Sequence, residues 1–135
     1  MPEPRKLSPA VQAVLSEAAG EGWEGMWRVA KVLHSRSLLP RWKGMTLDQV
    51  ALQPKQFSGM ARPDLQAFLD KQPQSVVDEA TRAVAQAPTQ MGGKPYADHY
   101  VTEELFKSPK RPDWVGKMKV VERYGNHVFM SEGGR

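Results

Sequence analysis

The 135-residue chain has no cysteine, which excludes disulfides, thiolate zinc sites and a cysteine nucleophile, and leaves His, Asp and Glu as candidate chemists. It lacks any apolar run approaching the ~20 residues that a membrane-crossing helix needs, so no stable membrane insertion is expected. Its opening, MPEPRKLSPAVQ, has basic residues with no apolar stretch behind them and does not read as a secretory signal peptide. There is no internal repeat and no low-complexity tract. Aromatics are few, at 8%, but hydrophobic residues at 40% and charged residues at 25% are ordinary globular values, which excludes disorder and a fibrous rod. The length predicts one domain over residues 1–135, with 1–7 a flexible N-terminus. Acidic residues are in the minority, 15 against 19 Lys and Arg, for a net charge of +4. Such a surface favours polyanions: nucleic acid, anionic lipid or the acidic polymers of a bacterial envelope.

Hydrophobic periodicity predicts helices first and a small β element last, an α+β chain that is mainly α. Ser8 and Pro9 make a helix start, Val11, Val14, Leu15 and Ala18 fall on one stripe, and Gly20 is the expected C-cap. A second helix has its stripe at Met26, Val29, Ala30 and Leu33, with Arg28, Lys31 and Ser35 on the opposite side. Arg36 continues that stripe, which predicts a partly buried guanidinium seeking a carboxylate, Glu24 or Glu21, or backbone carbonyls. Thr46 caps a short turn through Leu47, Val50 and Leu52 that Pro54 ends, and residues 56–60 are a strand or loop. A short helix over 64–69 follows, then a longer one capped by Ser75 with its apolar positions at Val76, Val77, Ala80, Ala83, Val84 and Ala87. After a loop at 91–95, Tyr100 and Val101 are extended, and residues 119–130 form two strands around a Gly-Asn turn.

The informative stretch is EAAGEGWEGMWRVAKVLHSR (17–36), with three Glu in eight residues around two glycines. Glu17 falls at the border of the first helix's apolar face, beside Ala10 and Val14. A carboxyl there is neither free nor sealed, the setting that a general acid working near neutrality requires. From the pattern alone, a solvated or ion-paired Glu is the commoner outcome at a helix edge.

Five segments together resemble the SleB-like cell-wall hydrolases of spore-cortex lytic enzymes and bacteriophage lysins. EAAGEGWEGMWRVAKVL is similar to that family's Glu-Ala-x-Gly-Glu run, and QPKQFSGM (53–60) to its Gln-Pro-x-Gln-Phe-Ser block. ADHYV (97–101), PDW (112–114) and GNHVF (125–129) resemble its His-Tyr segment, Pro-x-Trp and closing Gly-x-His-x-Phe. The order and spacing match over residues 14–130. One departure is Ser35-Arg36, where the family has Asn-Arg, which puts a side-chain hydrogen bond at position 35 in question.

The resemblance implies a lysozyme-like fold of the lytic-transglycosylase type and cleavage of the β-1,4 bond between N-acetylmuramic acid and N-acetylglucosamine in peptidoglycan. By analogy Glu17 protonates the leaving oxygen and then acts as base while the muramoyl 6-hydroxyl closes a 1,6-anhydro ring, a route that needs one carboxyl because the nucleophile belongs to the substrate. If water attacks instead, Glu21, Glu24 or Asp98 is the second carboxylate to inspect. Gln56 and Ser58 offer an amide and a hydroxyl to the sugars, while Phe57 is expected in the core. Tyr100 suits a sugar groove or the scaffold, His99 and His127 a ligand or a structural role, and Trp114 a sugar platform.

Metal and organic cofactors are not expected, and the partner is the glycan strand, met by a monomer. The implied setting is a phage endolysin that accumulates in the host cytoplasm and reaches the wall once the membrane is breached. Three rivals stay open. A zinc amidase would draw ligands from His34, His99, His127 and Asp98, though no HExxH spacing occurs. A basic nucleic-acid-binding protein is prompted by KSPKRPDW (107–114), though basic residues are spread along the chain. A wall-binding module without catalysis would have no use for the Glu run.

Overall fold

The computed structural model describes residues 3–53 and 57–132. Among these residues six helices are followed or interrupted by three strands: α1 (Pro9–Ala18), α2 (Gly22–Ser37), α3 (Leu47–Ala51), α4 (Leu65–Asp70), α5 (Gln74–Met91), β1 (His99–Thr102), α6 (Glu103–Lys107), β2 (Met118–Tyr124) and β3 (His127–Glu132). Single 3₁₀ turns at Ala19–Glu21, Pro40–Trp42, Ser58–Ala61 and Asp113–Lys117 fill the connections. The expected α+β order, mainly helical with the sheet last, is what forms.

α1 begins where the sequence places it. The Ser8 side chain accepts from the Val11 N–H, and Pro9 occupies the first turn. The Ala10 N–H, another donor that the helix itself cannot satisfy, reaches Asp48 Oδ1 at 3.0 Å and so ties α1 to α3. α3 carries a reciprocal capping box between Thr46 and Gln49. Ala10, Ala13, Val14, Leu15, Met26, Ala30, Leu33 and Val50 are fully buried and join α1, α2, α3 and α5 in one core. The small residues Ala80, Ala83 and Ala87 of α5 let that helix lie close against α2.

Several local expectations are corrected. Gly20 is not a left-handed cap: α1 ends at Ala18, a 3₁₀ turn follows, and the positive φ falls on Gly22, at 73°. Leu52 lies just past α3 and is 60% exposed, because the helix stops one residue short of returning it to the core. α5 starts after Pro73 rather than Ser75 and runs to Met91, with Pro88 inside. Ser35 does not share the exposed side with Arg28 and Lys31. It is fully buried, and its Oγ accepts the Tyr96 N–H at 2.8 Å, so the serine keeps a side-chain bond at the position where the resemblance left one in question.

The sheet is antiparallel in the order β1-β3-β2, with β2 and β3 joined by the expected Gly125-Asn126 turn, where Gly125 has φ 57°. A bulge between Val120 and Glu122 lets β2 follow the twist. Arg28 of α2 clamps the sheet to the helices. Its guanidinium meets Glu122 through two 3.0 Å bonds and Glu24 through another, and lies 3.9 Å from the centre of the Tyr124 ring. The hydrogen bonds from Arg28 hold the Glu122 carboxyl below the usual carboxylate range. Among the described residues, no helix is long and apolar enough to cross a membrane.

Candidate active site

Glu17 sits in the last turn of α1, where the helical half meets the sheet. Two donors reach its carboxyl, one per oxygen. The Tyr100 hydroxyl from β1 donates to Oε1 at 2.5 Å, and the Gly59 backbone N–H from the Ser58–Ala61 turn donates to Oε2 at 2.9 Å. Three segments distant in sequence therefore fix one side chain. Burial and the neighbouring Glu17 charge push the Tyr100 phenol well above its ordinary pKa, so it remains a protonated donor.

The closeness of the Gly59 turn to α1 depends on a missing side chain. A Cβ on Gly59 would lie 2.5 Å from Ser16 Oγ and 2.7 Å from Glu17 Oε2, both inside contact distance. Phe57, two residues earlier, is buried in the core as expected and anchors the turn. The Arg36 guanidinium lies 4.5 Å from the centre of its ring.

Glu17 opens into a cleft of about 690 Å³. Ser16 and Ser58 line it on the helical side, with Arg36 beside them. The four residues of β1, His99 to Thr102, line the other side, together with Leu105, Trp114, Met118 and His127. Of the residues expected in the site, Glu17, Ser58, His99, Tyr100 and Trp114 come together here. Gln56 lies outside the described residues. Glu21 and Glu24 are not among the lining residues: Glu24 pairs with Arg28 at 3.0 Å, and Glu21 Oε1 is 3.3 Å from His127 Nδ1.

Arg36 resolves into the backbone option. Its Nε donates to the Asp98 carbonyl at 2.6 Å, while the two glutamates expected as partners are engaged elsewhere. Burial lowers the guanidinium's pKa from its ordinary value. Asp98 itself is fully buried and holds His99 Nδ1 at 2.7 Å, so that the imidazole is fixed within the cleft wall against Trp114, their ring centres 5.3 Å apart. Trp114 is 39% exposed, an aromatic face open to a ligand. His127 packs edge-on against Tyr100 with ring centres at 5.4 Å, supporting the phenol that supports Glu17.

Sequence reasoning missed the Gly59 N–H, because a backbone donor leaves no mark on composition. It also missed Glu132, which reaches the cleft and is held by Arg41 at 2.6 Å. Among the described residues, no group of three or more His, Asp or Glu is placed to hold a metal ion. His34, a candidate ligand, instead meets the Gly92 carbonyl at 2.9 Å.

Residues 20–130 match the sequence profile of a family described as Cell Wall Hydrolase. The chain belongs to that family. The fold of this cell wall hydrolase is similar to that of the "Catalytic domain of germination-specific lytic tansglycosylase SleB from Bacillus anthracis", with a TM-score of 0.65 and 20% identity over 97% of this chain and 100% of that one. The lysozyme-like, lytic-transglycosylase type of fold expected from the resemblance is therefore the one adopted. No curated protein matches the chain. The family match begins three residues after Glu17, so the case for Glu17 rests on its surroundings in the cleft.

Proposed function

We propose that this cell wall hydrolase cuts the β-1,4 bond between N-acetylmuramic acid and N-acetylglucosamine by lytic transglycosylation, with Glu17 as the single acid and base. The observation that carries the reading is the carboxyl of Glu17, open to the cleft and held on both oxygens by Tyr100 and Gly59. Such clamping fixes the proton-bearing group against a bound glycosidic oxygen before reaction begins. Glu17 gives its proton to the leaving oxygen, the C1–O bond breaks, and the same carboxylate takes the proton from the muramoyl 6-hydroxyl as that oxygen closes onto C1. No water is consumed and no second carboxylate takes part.

A muramidase would need a further carboxylate to direct water. Among the described lining residues only Glu132 is available, and Arg41 occupies it. The absence of a clustered ligand set among the described residues weighs against the zinc amidase. Trp114 would stack on a sugar face, while Ser58 and His99 would meet its polar groups. The setting we favour is a phage endolysin acting as a monomer, released to the wall from the host cytoplasm, with its positive charge favouring anionic envelope polymers.

Digestion of purified sacculi, followed by mass spectrometry of the released muropeptides, tests the reading. Lytic transglycosylation yields 1,6-anhydro ends, one water lighter than the reducing ends a muramidase leaves. Reducing ends alone would replace the mechanism, and free stem peptides would replace the glycosidase with an amidase.

A further inference from the structure

β1 is an edge strand, and its outer edge faces the cleft. Which of its main-chain groups point there follows from the hairpin. Tyr124 and His127 flank a two-residue turn and are directly paired, so they exchange ladder hydrogen bonds across β2 and β3. By alternation, Val128 and Met130 turn their main-chain groups to β1, where their partners are Val101 and His99. The Glu103 N–H bonded to the Asn126 carbonyl at 2.7 Å continues the same alternation. Tyr100 and Thr102 therefore direct their N–H and C=O away from β3, along the cleft. The Thr102 carbonyl is at the N-cap of α6 and serves that helix. What the edge offers a ligand is a donor and an acceptor at Tyr100 and a second donor at Thr102, beside an apolar wall of Val101, Leu105 and Met118.

The geometry points to this edge as the subsite for the peptide that peptidoglycan carries on its muramic acid, bound as an added strand. This rests on the glycosidase reading above and extends it. An N-acetyl group brings one amide and would leave part of the row unused. The stem peptide brings several successive amides, attached through the lactyl ether to the sugar that must lie at Glu17. Strand addition satisfies such a row group by group, and small apolar side chains such as alanine methyls would meet the apolar wall. Glycan and peptide would thus lie side by side in the cleft, the glycan against Glu17, Ser58, His99 and Trp114 and the peptide along the outer edge of β1 from Tyr100 to Thr102.

The test compares kcat/KM on soluble glycan oligomers of equal length with and without stem peptides, for the wild type, Thr102→Pro and Thr102→Ala. Thr102 has φ −70°, which proline adopts, so the first variant removes the N–H without forcing the strand. Both variants lose the threonine cap on the Leu105 N–H, and alanine keeps the strand donor. We expect the wild type to prefer stem-bearing glycan by about tenfold, the effect of one or two net hydrogen bonds. The preference should collapse in Thr102→Pro and persist in Thr102→Ala. Equal rates in the wild type, a preference that survives in Thr102→Pro, or one lost equally in both variants would overturn the subsite and leave the glycosidase standing. A wild type that cleaves neither oligomer would overturn the glycosidase reading together with its subsite.

Discussion

Glu17→Gln separates acid chemistry from architecture because the two side chains have nearly the same shape. The Gly59 N–H can donate to the glutamine carbonyl as it did to Oε2, and the new amide NH₂ can donate to the Tyr100 oxygen once that hydroxyl turns. Both partners stay satisfied, so the melting temperature should stay within about 3 °C of the wild type. The barrier is another matter. A positioned general acid contributes roughly 10²- to 10⁴-fold, or about 3 to 5 kcal/mol, and here one group serves both proton transfers. Initial rates of muropeptide release from purified sacculi, with circular-dichroism melts on the same samples, give both numbers. A folded variant with activity within a few-fold of the wild type would remove Glu17 from the reaction. A variant that is inactive because it has unfolded would show that the two donors cannot tolerate the amide, contrary to the reasoning above.

Tyr100→Phe keeps the ring contacts with His127 and Phe129 and removes only the hydroxyl on Glu17 Oε1, so kcat should fall roughly ten- to a hundredfold with little change in KM, read from the same assay. Gly59→Ala should lower kcat at least about tenfold while the chain stays folded, since its Cβ displaces Ser16 and the Glu17 carboxyl; unchanged kinetics would mean that the turn can retreat without moving the acid. Glu122→Gln tests the clamp between α2 and the sheet. Because Arg28 depresses the Glu122 pKa in the folded chain, the ion pair's contribution is present above the unfolded carboxylate pKa and lost as pH falls through the lower folded value. The variant should melt below the wild type at pH 7, with the gap closing in acid; a gap constant across that range would assign the effect to packing.

How much of this was legible in the sequence depended on whether a feature is local. α1 could be read from Ser8, Pro9 and one apolar stripe, and the hairpin from Gly125-Asn126, because both rest on short-range chemistry. The placement of Ser58, Tyr100 and Trp114 around Glu17 was anticipated through spaced motifs, though the motifs did not say that Tyr100 would grip the carboxyl. Gly20 was misread as a cap because a 3₁₀ turn carried the reversal to Gly22, and Leu52 because a five-residue helix ends before its stripe closes. Ser35 looked exposed by helical phase, yet the Tyr96 segment covers it, and no periodicity reports a neighbour 61 residues away. The partners of Arg36 and the role of Gly59 were hidden for the same reason: main-chain groups in distant loops supply them.

The clamp on Glu17 closes over long stretches of chain: its donors lie 42 and 83 residues downstream. A ribosome that has made the first hundred residues has built the carboxyl but not β3, the strand on which β1 and its tyrosine depend. A growing or C-terminally clipped polypeptide therefore lacks the strand that seats Tyr100, and the full grip on Glu17 forms only once the closing hairpin has been made.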